Sequence, residues 1–208
     1  MTMTYQLDQS GYIRDQRLAH ETVVLSEKEC HGLVSSMFVS GTLRLAQPKH
    51  SPVIVQSTVV DSDVIAVKRQ KEYRFFKARF VDCRFHGVFS GVDFGRAHDV
   101  ERDGDFGGVE NCDFTDATLD GCRFVNVDVS TLRFPSWPHV VIVDPYKRAA
   151  DVEAMQWPGQ LGLYMQGCTS RPESFKAAVL HVPSLASLVK CTEEEIKAAF
   201  EKFGGLAM

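Results

Sequence analysis

The chain has 208 residues and no apolar run long enough to cross a bilayer, which excludes a transmembrane helix from the expected architecture. Its opening residues, MTMTYQLDQSGYIRDQ, lack the apolar core of a secretory signal, so a cytoplasmic protein is expected. Export by a route that leaves no such signal stays open. A basic excess is also missing: 23 Lys and Arg stand against 27 Asp and Glu, a net charge of −4. A general nucleic-acid binder needs the opposite balance. Catalytic signatures are absent too, with no GxSxG elbow, P-loop or dinucleotide fingerprint. The seven histidines, at 20, 31, 50, 86, 98, 139 and 181, have no metal-ligand pairing at short spacing. None of the six cysteines has a metal-type partner spacing either. These gaps lead to the expectation that the protein is not an enzyme and carries no cofactor.

What is present is a period. Between residues 112 and 134 an apolar residue recurs at every fifth place: Phe114, Leu119, Phe124, Val129 and Phe134. Two places before each sits Cys112, Ala117, Cys122, Val127 or Leu132, small at first and bulky at the end. Five fits neither the 3.6 of an α-helix nor the 2 of a flat strand. It fits a chain that turns a corner every five residues and points the same two side chains inward each time, which is a solenoid with an outer wall suited to binding. Cys83, Cys112 and Cys122 fall on the small inward place and are expected as buried, reduced thiols.

The period extends upstream with interruptions. Phe38 and Leu43 are five apart, AQPKHSP breaks the pattern, and Ile54, Val59 and Val64 resume it. The next inward place falls on Arg69, so a bulge is expected around Lys68 to Glu72. Phe75, Phe80, Phe85, Phe89 and Phe94 follow, with one step of four instead of five. Residues 95 to 108 place Asp99 and Gly104 inward and are therefore expected to leave the coil as a loop. Prolines in PSWP end the ladder after Phe134. Residues 1 to 30 show no clear repeat and are expected to cap one end.

CDFTD, ATLDG and CRFVN closely, and STVVD and VDVST loosely, resemble the pentapeptide-repeat family, over roughly residues 36 to 134. The resemblance implies a mainly β fold, a right-handed quadrilateral β-helix with 20 residues per coil and coils stacked at about 4.8 Å. From 144 onward the period of five is gone. Ser170-Arg-Pro-Glu173 and Thr192-Glu-Glu-Glu195 fit the capping-box spacing, and Gly204-Gly205 fits a helix stop. An α-helical C-terminal module of about three short helices is expected, with Phe175, Val179 and Leu180 on one helix face and Trp157-Pro158-Gly159 as a turn. The expected division is a cap and irregular repeats at 1–50, the β-helix at 51–143 and the helical module at 144–208.

The loop DVERDGDFGGVE resembles an EF-hand loop. Asp99, Glu101, Asp103, Gly104 and Glu110 fall at places 1, 3, 5, 6 and 12 of twelve, and Asp105 adds to the set. Glu101 departs from the usual Asp or Asn, and β-solenoid flanks depart from helices. The two readings are a Ca2+ site formed by Asp99, Glu101, Asp103, Asp105 and Glu110, and a solvated acidic loop. Charge is uneven along the coil: residues 51–96 hold eight basic and five acidic side chains, and 97–143 hold three and nine. Arg74, Arg79 and Arg84 resemble a stripe, but a spacing of five sends each to the next face. Val55, Val60, Ile65, Phe76 and Val81 point outward, to be covered by the two ends of the chain or used as a contact patch.

These features lead to a non-enzymatic protein-binding solenoid that shields or neutralises a protein partner, as an immunity or antitoxin-like protein does. The expected contacts are Arg96, His98, Asp99, Glu101, Arg102, Asp103 and Asp105 of the loop, with Phe76 beside it. The alternatives are a DNA-mimicking protector of a topoisomerase such as gyrase, which the family resemblance suggests, and a secreted effector or scaffold. Neither direct nucleic-acid nor membrane binding is expected, and the C-terminal module is where a homodimer contact would form.

Overall fold

A computed structural model describes residues 5–47, 53–97 and 106–204. The fold is mainly β: a β-solenoid of about four turns, followed by a module containing a few helices. Three strands, β1 (Tyr12–Arg14), β2 (Arg17–Ala19) and β3 (Thr22–Leu25), form the first coil. The second carries β4 (Gly32–Val34), β5 (Met37–Val39) and β6 (Thr42–Leu45), and the third β7 (Val53–Val55), β8 (Ser57–Val60) and β9 (Asp63–Lys71). Then come β10 (Ala78–Val81), β11 (Arg84–Ser90), β12 (Asp93–Gly95), β13 (Gly108–Glu110), β14 (Ala117–Asp120) and β15 (Cys122–Val125). Each coil pairs with the next in parallel, so inward residues stack into columns. Ile13, Leu33 and Ile54 form one column, and Leu18, Phe38, Val59, Phe80 and Val109 another. Val23, Leu43, Val64 and Phe85 form a third, which continues through the stacked rings of Phe114 and Phe134.

The corners explain why a period of five works. Two places after an inward residue the chain turns through the left-handed region: Asp15, His20, Ser35, Ser40, Gln56, Asp61, Asp82, Asn111 and Asn126 all have φ near +50°. Most are Asp, Asn or Ser, whose short polar side chains accompany such a turn. Small inward side chains then serve the backbone. Ser57 Oγ accepts from Ser36 N–H at 3.1 Å, and Ser36 Oγ accepts from Gln16 N–H at 3.2 Å.

The first coil corrects one expectation. Residues 1 to 30 do not all form a cap, because Ile13, Leu18 and Val23 are inward residues of a true coil. The N-terminal covering falls to the residues just before it, where Tyr5 packs on the core and Gln6 and Gln16 exchange hydrogen bonds. The expected bulge is present. β9 carries two more residues than β11 between matched positions, and Val67, Lys68 and Arg69 point out. Buried Gln70 fills the core place beneath the bulge, donating to Lys68 O at 2.8 Å.

The tail brings a second correction. Residues 175–181 form a strand, not a helix face: β16 (His139–Val143) and β17 (Phe175–His181) are antiparallel, and β17 pairs with β15. This pair extends the end coil and satisfies its open edge. Its period of two divides the module. Val141, Ala177 and Val179 join the solenoid core, while Val140, Ile142, Ala178 and Leu180 join a second core. The second core is built with α1 (Ala149–Ala154), α2 (Leu161–Thr169), α3 (Val182–Val189) and α4 (Glu193–Phe203). At α4 the Thr192 capping box is formed and Gly204 ends the helix at φ +72°. Among the described residues no helix is long and apolar enough to cross a membrane.

Candidate functional site

Of the residues singled out from sequence, the described ones, Phe76, Arg96 and Glu110, lie where the 95–108 segment leaves the coil. Gly95 has φ +110°, and a Cβ there would overlap the carbonyl oxygen of Val125. A Cβ at Gly107 would overlap the carbonyl oxygens of Phe76 and Gly95. The two stems therefore close on each other beside Phe76, and only glycine allows that approach. Arg96 N–H donates to Val125 O at 2.9 Å, and Asn126 Nδ2 donates to Ala97 O at 3.0 Å. The departure point is thus fastened to the following coil. His98, Asp99, Glu101, Arg102, Asp103 and Asp105 lie outside the described residues.

Of the expected calcium ligands only Glu110 is described, and its Oε1 accepts from Arg79 Nη2 at 2.7 Å. Among the described residues no group of three or more His, Cys, Asp or Glu side chains could hold a metal. Arg96 and Glu110 instead border an open depression of about 300 Å³ with Asn126, Asp128 and Thr131, residues that the repeat pattern alone did not mark.

The wall beside this base is apolar. Val39, Val60 and Val81 stack along the outer face in register and end against Glu110. Each is half-buried, as are Val55, Ile65 and Phe76. Of the two arrangements expected for them, cover by the chain ends or use as a contact patch, cover by residues 1–50 is met in part: Val34, Val39 and Arg44 of that stretch lie beside Val55, Val60 and Ile65. Outward residues of adjacent coils thus shield one another at the coil spacing.

Charged side chains are cross-paired between coils. Arg74 lies 3.5 Å from Asp93, Arg84 3.8 Å from Asp63, and Arg133 3.5 Å from Asp113. Buried Asp93 also accepts from Arg123 Nε, a pair that the repeat pattern had not marked. Partial burial raises the Asp113 carboxyl, but hydrogen bonds from Thr115 and the nearby Arg133 and Arg84 outweigh it and hold the pKa below its ordinary value. Asp128 is also lowered, by hydrogen bonds from the Ser130 hydroxyl and N–H. Asp120 accepts from Ser90 Oγ, and Asp116 lies 3.8 Å from His86 Nδ1.

All six cysteines are free thiols. Burial pushes Cys122 up to about 12, which keeps it a neutral packing group. His139 is buried and structural: its Nε2 accepts from Leu119 N–H at 3.2 Å, and burial lowers its pKa. Comparison with protein-family models, with curated proteins and with solved structures finds no match for this chain.

Proposed function

We propose that this chain is a pentapeptide-repeat protein that acts by binding, shielding or neutralising a protein partner at the wall around the base of the 95–108 segment. The spacing of inward residues, with a left-handed corner two places later, supports the family reading. The observation that carries the binding reading is the closed stem at Gly95 and Gly107. It presents a long insertion from a rigid wall, next to Phe76 and the half-buried valine ladder. Insertions displayed on a rigid scaffold are where binding residues concentrate. Catalysis is not part of the proposal, since His31, His139 and His181 each hold a structural hydrogen bond.

Imitation of DNA is the weaker reading. It needs an unneutralised acidic face, and Asp93, Glu110 and Asp113 are each paired with arginine. Affinity capture from the native host, with the full chain and a variant lacking residues 98–105 as baits, tests the choice. The deletion should melt as the full chain does and lose the partner. Full retention of the partner would move the contact elsewhere. Loss of binding on neutralising Asp113, Asp116, Asp120 and Asp128, with the loop deletion silent, would favour DNA imitation.

A further inference from the structure

A second site lies farther along the last coil, where β15 meets the C-terminal module. Between the last coil and α2 is a cavity of about 240 Å³ whose lining includes the apolar Leu163, Phe175 and Leu180 together with Arg123, Tyr164 and Arg171. That volume is below the range of drug-sized pockets and suits a smaller molecule. Its polar groups are not used up by the fold. The Tyr164 hydroxyl has no hydrogen-bond partner among the described residues, and Arg171 makes no ion pair among them. Arg123 is different: its guanidinium is held by Asp93 and by Gly91 O, so it is fixed in direction and adds a positioned cation.

Arg171 and Arg123 are the charges that act on both the Cys168 thiol and the Tyr164 hydroxyl, and Asp120 acts on Tyr164 as well. Burial pushes the Cys168 thiol up to about 11 and raises Tyr164 well above its usual value. At neutral pH both are uncharged: the phenol is a hydrogen-bond donor, and the thiol is neither a nucleophile nor a metal-binding thiolate.

We propose that this cavity binds a small organic carboxylate with a compact apolar body. The carboxylate would sit against Arg171 and Arg123 within reach of the Tyr164 hydroxyl, and the body would lie on Leu163, Phe175 and Leu180. Guanidinium suits the planar carboxylate, and the apolar wall disfavours an anion as fully hydrated as phosphate.

Calorimetry and thermal melting of the full chain test this with hexanoate, its neutral counterpart hexan-1-ol, and inorganic phosphate. Hexanoate should bind in a saturable one-to-one manner and raise the melting temperature. Hexanol and phosphate should bind at least ~10-fold more weakly, the loss expected for one charge-assisted hydrogen bond. Arg171→Gln, at an exposed position, should weaken hexanoate about tenfold. Tyr164→Phe should weaken it roughly fivefold, with the unliganded melting temperature kept in both variants. Absence of hexanoate binding would overturn the proposal. So would equal binding of hexanol, equal binding of phosphate, or wild-type affinity in the double variant.

Discussion

Replacing Phe94 by alanine removes the ring that holds two stretches of the solenoid together. Phe94 is fully buried, with ring centres of Phe75, Phe85, Phe89, Phe114 and Phe124 all 5.2 to 5.7 Å away. A buried Phe→Ala change costs about 3–5 kcal/mol through lost transfer energy and the cavity left behind. Aromatic pairs contribute roughly 0.5–1.5 kcal/mol each beyond area, so five partners put Phe94 near the upper limit, about 5 kcal/mol. For a chain of this size that is a fall of about 10–20 °C in melting temperature. Phe134 is the internal control: it is half-buried and, among the described residues, its ring stacks on Phe114 and meets Phe124 edge-on, so its alanine variant should cost about 1–2 kcal/mol. Urea denaturation followed by circular dichroism measures both. Phe94→Leu, at about 1–2 kcal/mol, keeps the ranking measurable if the alanine variant does not fold. A Phe94→Ala cost no larger than that of Phe134→Ala would refute the idea that stacked columns carry the stability.

Melting in chelator and in millimolar Ca2+ should coincide, because Glu110 is committed to Arg79; a calcium-dependent rise abolished by Asp99→Ala would show that the loop draws Glu110 away. His139, whose folded pKa is depressed by burial, contributes stability that is present above its unfolded value of about 6.5 and lost as pH falls through the folded value. The melting temperature should therefore decline below about pH 6.5, and His139→Gln should flatten that part of the profile. Thr192→Ala removes the capping box of α4 and should cost about 1 kcal/mol by denaturation, against no measurable change for an exposed neighbour such as Glu194→Gln.

The coil interior was legible from spacing because the corner geometry is local. Each inward residue is followed two places later by the turn, so the period of five placed Phe114 over Phe134, and the outward Asp113 beside Arg133. The bulge at Lys68 and the cap at Thr192 were legible for the same reason, since each depends on residues within one turn. The first coil was not, although Ile13, Leu18 and Val23 keep the spacing. Gln16 and Glu21 stand where a small inward residue is usual, and they mask the repeat. Phe175–His181 was misread as helix because FKAAVLH is a short apolar run, whose periodicity does not distinguish a strand from a buried helix segment. Its partners β15 and β16 lie roughly thirty-five to fifty residues earlier, and only those pairings make the strand. The closed stem at Gly95 and Gly107 and the cavity at Arg171 belong to the same class: segments distant in sequence meet there. Sequence by itself determined the repeating coil and its inward residues, because five-residue corners are set by neighbours. Tertiary structure alone decided what caps the coil and which side chains meet at its surface, because those contacts are chosen by packing between distant segments.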